Sequence, residues 1–405
     1  MANSKDKNPK KAEGQAPDFS KPEFGYLFST KKKKGLKGLT DEEFKLSTPK
    51  ISVALSKNMT FATNETALRS LKDGFEFKLN GDPQLIRRNK PCDIDKKGMQ
   101  LIFALNIYMA KWGNDEDIQN YIRIVSEEGR EPAITPKRYI NLQELTGLIY
   151  DSNGKREREQ DEVYSRLKKL SETKQKLIFK GRKFDDEIGA YNTTLELEQP
   201  ILGSLGDMYK IKNNETGETT RVVQVTFSRI FFQNLTDKFT PILPSILVIR
   251  DENGKIINNS ELFWSLASLL HAERWRFITI GYRKAREKAE KEYSNIHNWK
   301  ERKNAIEAAA RKGLVYTISF EDIKRATSAN YSHHKREKDF LKDLENAIKA
   351  FKIYGIIEKK GSIIDTTNEK VIFVFNMNFA KSILSTVPKG GKEPDELTED
   401  LLEKE

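Results

Sequence analysis

The densest set of side chains able to hydrogen-bond an anion or the edge of a nucleobase lies between Ser332 and Lys338, in the run SHHKREK. Arg and Lys bind phosphates and base edges, and Ser, Asn and His add shorter donors. Asn330 and Tyr331 extend the same polar stretch. Asn330, Tyr331, Ser332, His333, His334, Lys335, Arg336 and Lys338 therefore form one candidate DNA-reading surface. A zinc centre on the paired histidines lacks the cysteine or carboxylate ligands that would complete a tetrahedral set. The chain has one cysteine, Cys92, and four histidines, which rules out an intramolecular disulfide and a multi-thiolate metal site.

Two further basic regions are candidates for phosphate contact. From Glu273 to Lys312 the chain carries twelve basic and six acidic residues, most concentrated at GYRKAR, where Arg283, Lys284 and Arg286 stand together. Bases alternating with glutamates on an exposed helix also stabilise one another, so an ion-paired solvent face is the competing reading. In the first half the candidates are Lys155, Arg158, Arg166, Lys168 and Lys169, with Arg182 and Lys183 near a hairpin. Here Glu157, Glu159, Asp161 and Glu162 oppose close approach to DNA unless they point away, which leaves backbone gripping or dimerisation as alternatives. Lys359 and Lys360 lie close to a second hairpin turn and suit a wing crossing the phosphate backbone.

Catalytic patterns are scarce. The chain has no GxxxxGK[ST] phosphate loop, no HExxH and no GxSxG elbow. Tyr282 and Tyr331 sit in basic surroundings, but no histidine cluster or arginine constellation accompanies them as strand-transfer chemistry would require. A binding protein without a cofactor is expected, not an enzyme.

The elements that must hold these residues follow from composition and periodicity. A chain of 405 residues with 37% hydrophobic content has material for two cores of ordinary size. Its charge, 71 − 60 = +11, favours a polyanionic partner. No apolar run is long enough for a membrane span and the start lacks an apolar leader core, so a cytoplasmic protein with no membrane partner is expected. Residues 1–45, with the four lysines Lys31 to Lys34, read as a disordered basic arm, and residues 389–405 as an acidic tail.

Between the tails, MQLIFALNIYMAK (99–111) is an apolar helix. YINLQELTGLIY (139–150) is a short helix with Asn141 and Glu144 placed for a capping box. A polar turn and a helix over 157–172 follow, with Val163, Leu167 and Leu170 inward; then KQKLIFKG (174–181) and the residues after it suggest a hairpin. IKNNETGETTR divides the chain near 210–220. The second half repeats the order: an apolar helix at 261–270, a polar helical stretch from Gly281 broken near Ser294 to His297, a strand and short helix in YTISFEDIKRATSAN, a helix over 333–354 stopped by Gly355, and a hairpin in IIEKKGSIIDTTNEKVIFVFN. Helix, polar turn, helix and hairpin is the order of a winged helix-turn-helix. The expected fold is α+β, two tandem winged helix-turn-helix domains over residues 46–215 and 216–380 with flexible tails. The first would grip DNA backbone or dimerise, and the second would be the main sequence reader.

In this module order, in the apolar helix MQLIFALNIYMAK, and in YTISFEDIKRA followed by HHKREKDFLKDLENAIKAF and a hairpin, residues 45–380 resemble plasmid replication initiator proteins with tandem winged-helix domains. The insertion-like region at 281–315 departs from a compact initiator. The resemblance implies binding to repeated origin sites on double-stranded DNA, opening of adjacent A·T-rich DNA, recruitment of a host helicase or loader, and a homodimer that represses its own promoter. A transcriptional regulator without initiator activity shares most of these features, and a winged-helix protein-interaction module is a third reading.

Overall fold

The computed structural model describes residues 95–379 apart from 113–114, 125–134, 173, 181–183, 186–189, 192–193, 213–216, 218, 233–238 and 328–336, together with 17, 19, 21, 27, 49–52, 55–56, 75–79 and 82–86. The first half opens with the strands β1 (Lys50–Ser52), β2 (Phe75–Leu79) and β3 (Asp82–Ile86), the last two forming a hairpin. Helix α1 (Lys96–Met109) is buried on every side from Met99 to Tyr108 apart from Gln100, as its unbroken apolar run requires. Asp95 caps it, its carboxylate accepting the Gly98 amide at 2.8 Å. Helix α2 (Glu116–Arg123) packs Ile118, Tyr121 and Ile122 inward.

Strand β4 (Lys137–Asn141) runs directly into helix α3 (Leu142–Tyr150). Asn141 caps α3 by accepting the Glu144 amide at 3.2 Å. The reciprocal half of the expected capping box is absent: the Asn141 amide donates to the Tyr108 hydroxyl at 3.1 Å, and the Glu144 carboxylate pairs with Lys111 instead. Helix α4 (Glu157–Glu172) follows, burying Gln160, Val163, Leu167 and Leu170 on one stripe.

After α4 the hairpin read from KQKLIFKG and the residues after it is present, but it does not join the sheet of β4. Strands β5 (Lys174–Lys180) and β8 (Thr194–Pro200) pair with each other, and β6 (Phe184–Asp185) with β7 (Ala190–Tyr191), as a separate ribbon. The strands that complete the sheet with β4 are β9 (Ser204–Lys212) and β10 (Thr219–Thr226), in the order β4-β10-β9. The polar stretch at 210–220 therefore lies within a hairpin, with Lys212 opposite Thr219, and does not separate two halves. Gly- and Asn-rich turns mark tight hairpins as readily as linkers, and only the pairing distinguishes them.

Strand β11 (Phe239–Pro241) pairs with β1, Ile51 opposite Thr240, which ties the start of the described chain to the second half. Helix α5 (Glu261–Arg276) is capped by Ser260 and buried from Leu262 to Arg274. It continues through a π-helical segment (Phe277–Tyr282) into α6 (Arg283–Glu292), and α7 (Trp299–Ala310) returns alongside α6. Then β12 (Val315–Ser319), α8 (Phe320–Thr327), α9 (Glu337–Tyr354), β13 (Ile363–Asp365) and β14 (Lys370–Val374) build a second sheet of order β12-β14-β13. Ser319 caps α8, its hydroxyl accepting the Asp322 amide at 3.0 Å. Gly355 ends α9 with φ +88°, as a C-terminal stop needs.

The fold is mixed α+β, and with α2, the β5–β8 ribbon and the α6–α7 pair set aside as insertions one order occurs in it twice: buried helix, strand, two helices, hairpin, with the first strand paired to the last. The two occurrences share a single core. Phe103 of α1 meets Trp264 and His271 of α5, each at 5.6 Å between ring centroids. Phe263 stacks on Phe351 of α9 at 4.7 Å. Gln100 donates to the carbonyls of Ile149 and Leu247, one in each half.

Within the segment read as a disordered basic arm, Phe19 and Leu27 are seated on the outer face of the first sheet. Phe19 lies 5.1 Å from Tyr139 and 5.4 Å from Tyr209, and the Leu27 carbonyl accepts the Asn141 side-chain amide at 2.8 Å. Tyr139, Ile211 and Val222 alternate with the core-facing Ile140 and Val223, so this sheet has apolar residues on both faces, and Phe19 and Leu27 pack on the second. Residues 389–405 lie outside the described residues.

Candidate nucleic-acid interface

The turn between α3 and α4 is built on backbone constraint. Asp151 and Gly154 take positive φ, +51° and +66°, and the Ser152 amide returns to the Gly147 carbonyl at 3.1 Å. A Cβ on Gly154 would lie 1.8 Å from the Gln143 carbonyl oxygen, so this position demands glycine. The buried Gln160 of α4 donates to the Gly154 carbonyl at 2.8 Å and clamps the turn against the second helix.

With Gln160, Val163, Leu167 and Leu170 facing the core, α4 presents Arg158, Asp161, Ser165, Lys168 and Lys169 to solvent, and Lys155 is exposed just before it. The acidic residues that oppose an anion are mostly neutralised. Glu159 pairs with Arg156 at 3.0 Å, and Asp161 with Arg221 at 2.5 Å. Glu162 is held by Lys97 and Arg166, each at 2.5 Å, and by the Tyr150 hydroxyl at 2.7 Å. Hydrogen bonds from Lys97, Tyr150 and Arg166 bring its carboxyl down to about 2, and burial with the Glu162 bond pushes the Tyr150 phenol up to about 12.

Arg166 has the opposite fate from its neighbours. Its side chain is only 12% exposed and its guanidinium is engaged by Glu162 and Tyr150, so it braces α4 instead of facing solvent. Lys168 is exposed and 3.8 Å from Glu172. Arg182 and Lys183 lie outside the described residues.

In the second half, Asn330, Tyr331, Ser332, His333, His334, Lys335 and Arg336 also lie outside the described residues; helix α9 is described from Glu337. Phe340, Leu344, Ala347, Ile348 and Phe351 face the core, as their spacing predicts. Lys338, Lys342 and Lys349 are exposed along the opposite side with Asp339 and Glu345. Lys342 and Lys349 were legible from their i+4 and i+11 offsets to Lys338 but were not singled out.

Lys359 and Lys360 are exposed in the turn that precedes β13, where Ile357 bridges Phe375. The tip of the hairpin is 366–369, closed by Asp365 opposite Lys370, so these two lysines sit at the far end of the ladder from the position read in the sequence. Gly361, at φ +87°, forms an earlier bend within the same ribbon, and it is this bend that the two lysines adjoin.

The basic stretch after α5 divides into two kinds of side chain. Arg283 and Arg286 reach Glu287 and Glu290, at 3.8 and 3.0 Å, which is the self-stabilising arrangement considered as the alternative. Lys284, Lys288, Lys291, Lys300 and Lys303 are exposed. The Tyr282 hydroxyl donates to Glu307 at 2.8 Å; burial and that bond push its phenol up to about 12, which makes it a structural donor and a poor nucleophile. Residues that sequence reasoning missed include Arg221 and Lys97, whose acidic partners lie 60 and 65 positions away. No local pattern carries that signal.

Among the described residues no group of three or more His, Cys, Asp or Glu is placed to hold a metal, and no helix is long and apolar enough to cross a membrane. No family model, curated protein or solved structure matches the chain.

Proposed function

We propose that the chain binds double-stranded DNA sequence-specifically through two tandem winged helix-turn-helix units and acts as an initiator of plasmid or phage-type replication. The observation that carries this reading is the twofold recurrence of strand, helix, helix and hairpin with the first strand paired to the last. In each unit the second helix buries one stripe and turns lysines outward, which is what a helix entering a major groove needs.

On this reading Lys155, Arg158, Lys168 and Lys169 of the first unit, and Lys338, Lys342 and Lys349 of the second, face DNA. The residues from Asn330 to Arg336, just before α9, are the proposed base readers. Lys284 and Lys288 add phosphate contact from α6. Phosphate contacts set position and orientation, and the few side chains at the groove discriminate sequence. The initiator assignment adds, from the family resemblance, repeated origin sites, opening of neighbouring DNA and recruitment of a host helicase or loader.

Selection from a random duplex library at two salt concentrations tests the reading. One long asymmetric site is expected, with affinity falling about a thousandfold between 50 and 200 mM salt if six or so phosphates are contacted. Finding direct repeats of that site beside an origin supports initiation; a single inverted repeat at a promoter supports a regulator. No enriched site, with weak salt-insensitive binding, removes the DNA reading.

A further inference from the structure

Helices α6 and α7 form a projecting hairpin that adds almost nothing to the core, since Ala289 and Ala310 are its buried residues. Its foot is nevertheless tightly fixed. The Gly281 and Gly313 backbones are in contact, and a Cβ on either would fall 2.5 or 2.3 Å from the other's carbonyl oxygen. Tyr282 is bonded to Glu307 across the same hairpin. A rigidly based projection without a packing role presents its tip to something outside the fold.

At that tip stands Trp299, the first residue of α7. It is 70% exposed, more than any other exposed large hydrophobic residue among those described. Asn298 accepts the Lys300 and Glu301 amides at 3.1 and 3.4 Å, which fixes where the helix begins and therefore where the indole is carried. Lys303, one turn on, places its ammonium 5.8 Å from the ring centroid. Lys300 and Lys303 on α7 and Lys288 and Lys291 on the end of α6 are exposed, as is Glu292, while Glu290 is turned to Arg286 and Glu301 accepts from Asn298.

We infer that Trp299, with Lys300 and Lys303, is a stacking site for an unpaired base of single-stranded DNA. An indole offers a flat apolar face, and the surrounding lysines favour a polyanion. A single strand supplies a base face and a phosphate at each nucleotide, whereas duplex bases are stacked on one another and offer only their edges. This inference rests on the DNA-binding reading above and adds the strand released when a duplex opens.

The test uses the full chain, a labelled fifteen-nucleotide oligothymidine and the selected duplex. Trp112 and Trp264 are buried and Trp275 is partly buried, so the quenching on oligothymidine binding that Trp299→Ala removes is the share that reports on Trp299. Trp299→Ala should weaken oligothymidine binding about tenfold and abolish most of the quenching. Trp299→Phe should retain part of the affinity, and duplex affinity should change less than about twofold in both, as expected for a contact duplex bases do not offer. Unchanged oligothymidine affinity in Trp299→Ala overturns the inference, as do parallel losses for both DNA forms. Duplex binding without oligothymidine binding overturns it too and assigns the indole to a protein contact. Failure to bind either form removes the DNA reading itself.

Discussion

Replacing Gly154 by alanine should damage the α3–α4 turn more than its positive φ alone would predict. At φ +66° an L-residue in the left-handed region carries about 1–2 kcal/mol of strain. The added Cβ would also lie 1.8 Å from the Gln143 carbonyl oxygen and 2.8 Å from the Gly147 nitrogen, both backbone atoms. Ordinary non-bonded separations are about 3.5 Å, so the turn must open by more than an ångström. Forced repacking of that kind costs roughly 1–3 kcal/mol, for a total of about 2–5 kcal/mol. Gly254 is the matched control: its φ is +76° but nothing lies within 4 Å of its Cβ position. Gly254→Ala should therefore cost only about 1–2 kcal/mol. Urea denaturation followed by circular dichroism measures both. Equal losses in the two variants would refute the claim that the α3–α4 turn depends on backbone contact.

Phe351→Ala removes a ring stacked on Phe263 in the core and should lower stability by about 3–5 kcal/mol in the same urea assay; a loss under about 1 kcal/mol would show that the site collapses. Burial, with Arg274 beside it, holds the His271 imidazole down at about 3, so the folded state keeps it neutral while the unfolded chain takes up that proton below about 6.5. Stability from this group is full above about pH 6.5 and lost as pH falls toward 3. His271→Phe should flatten that dependence of the urea midpoint between pH 7 and 4, and an unchanged slope contradicts the argument. Glu162, held at about 2, likewise contributes stability above the ordinary glutamate pKa of about 4.3 that is lost as pH falls toward 2; Glu162→Gln should make the midpoint less acid-sensitive in that range. Paired Lys168→Gln and Lys169→Gln should weaken binding to every duplex alike and reduce the salt slope by about 2, whereas Arg166→Gln should chiefly lower stability; the reverse pattern would exchange their roles.

The elements were legible where a local signal is strong. The apolar run of α1, the Asn141 and Ser319 caps, the inward stripe of α9 and its Gly355 stop each depend on residues within a turn or two of one another. What sequence could not supply was pairing at a distance. The hairpin that KQKLIFKG begins is a local pairing, but nothing in it says that it stands apart and leaves β4 to β10, and a polar turn looks the same inside a hairpin as between domains. The candidate surface divided the same way. The exposed positions of Arg158, Lys168, Lys169 and Lys338 follow from helical periodicity. The internal engagement of Arg166 depends on Tyr150 from another helix, and the neutralisation of Asp161 on Arg221 from a strand.

The contact of Phe103 with Trp264 and His271 joins the two units in one core, not as beads on a string. Cutting between them would expose two helices that are buried nearly all round, so neither unit should be soluble alone. Under the proposed DNA-binding function this amounts to a fixed gauge. The distance and rotation between α4 and α9 would be set by the protein interior, and one base pair inserted between the halves of a site would turn one half about 34° out of phase, at roughly 10.5 base pairs per turn. A flexible linker would tolerate such a change at little cost; a shared core would not.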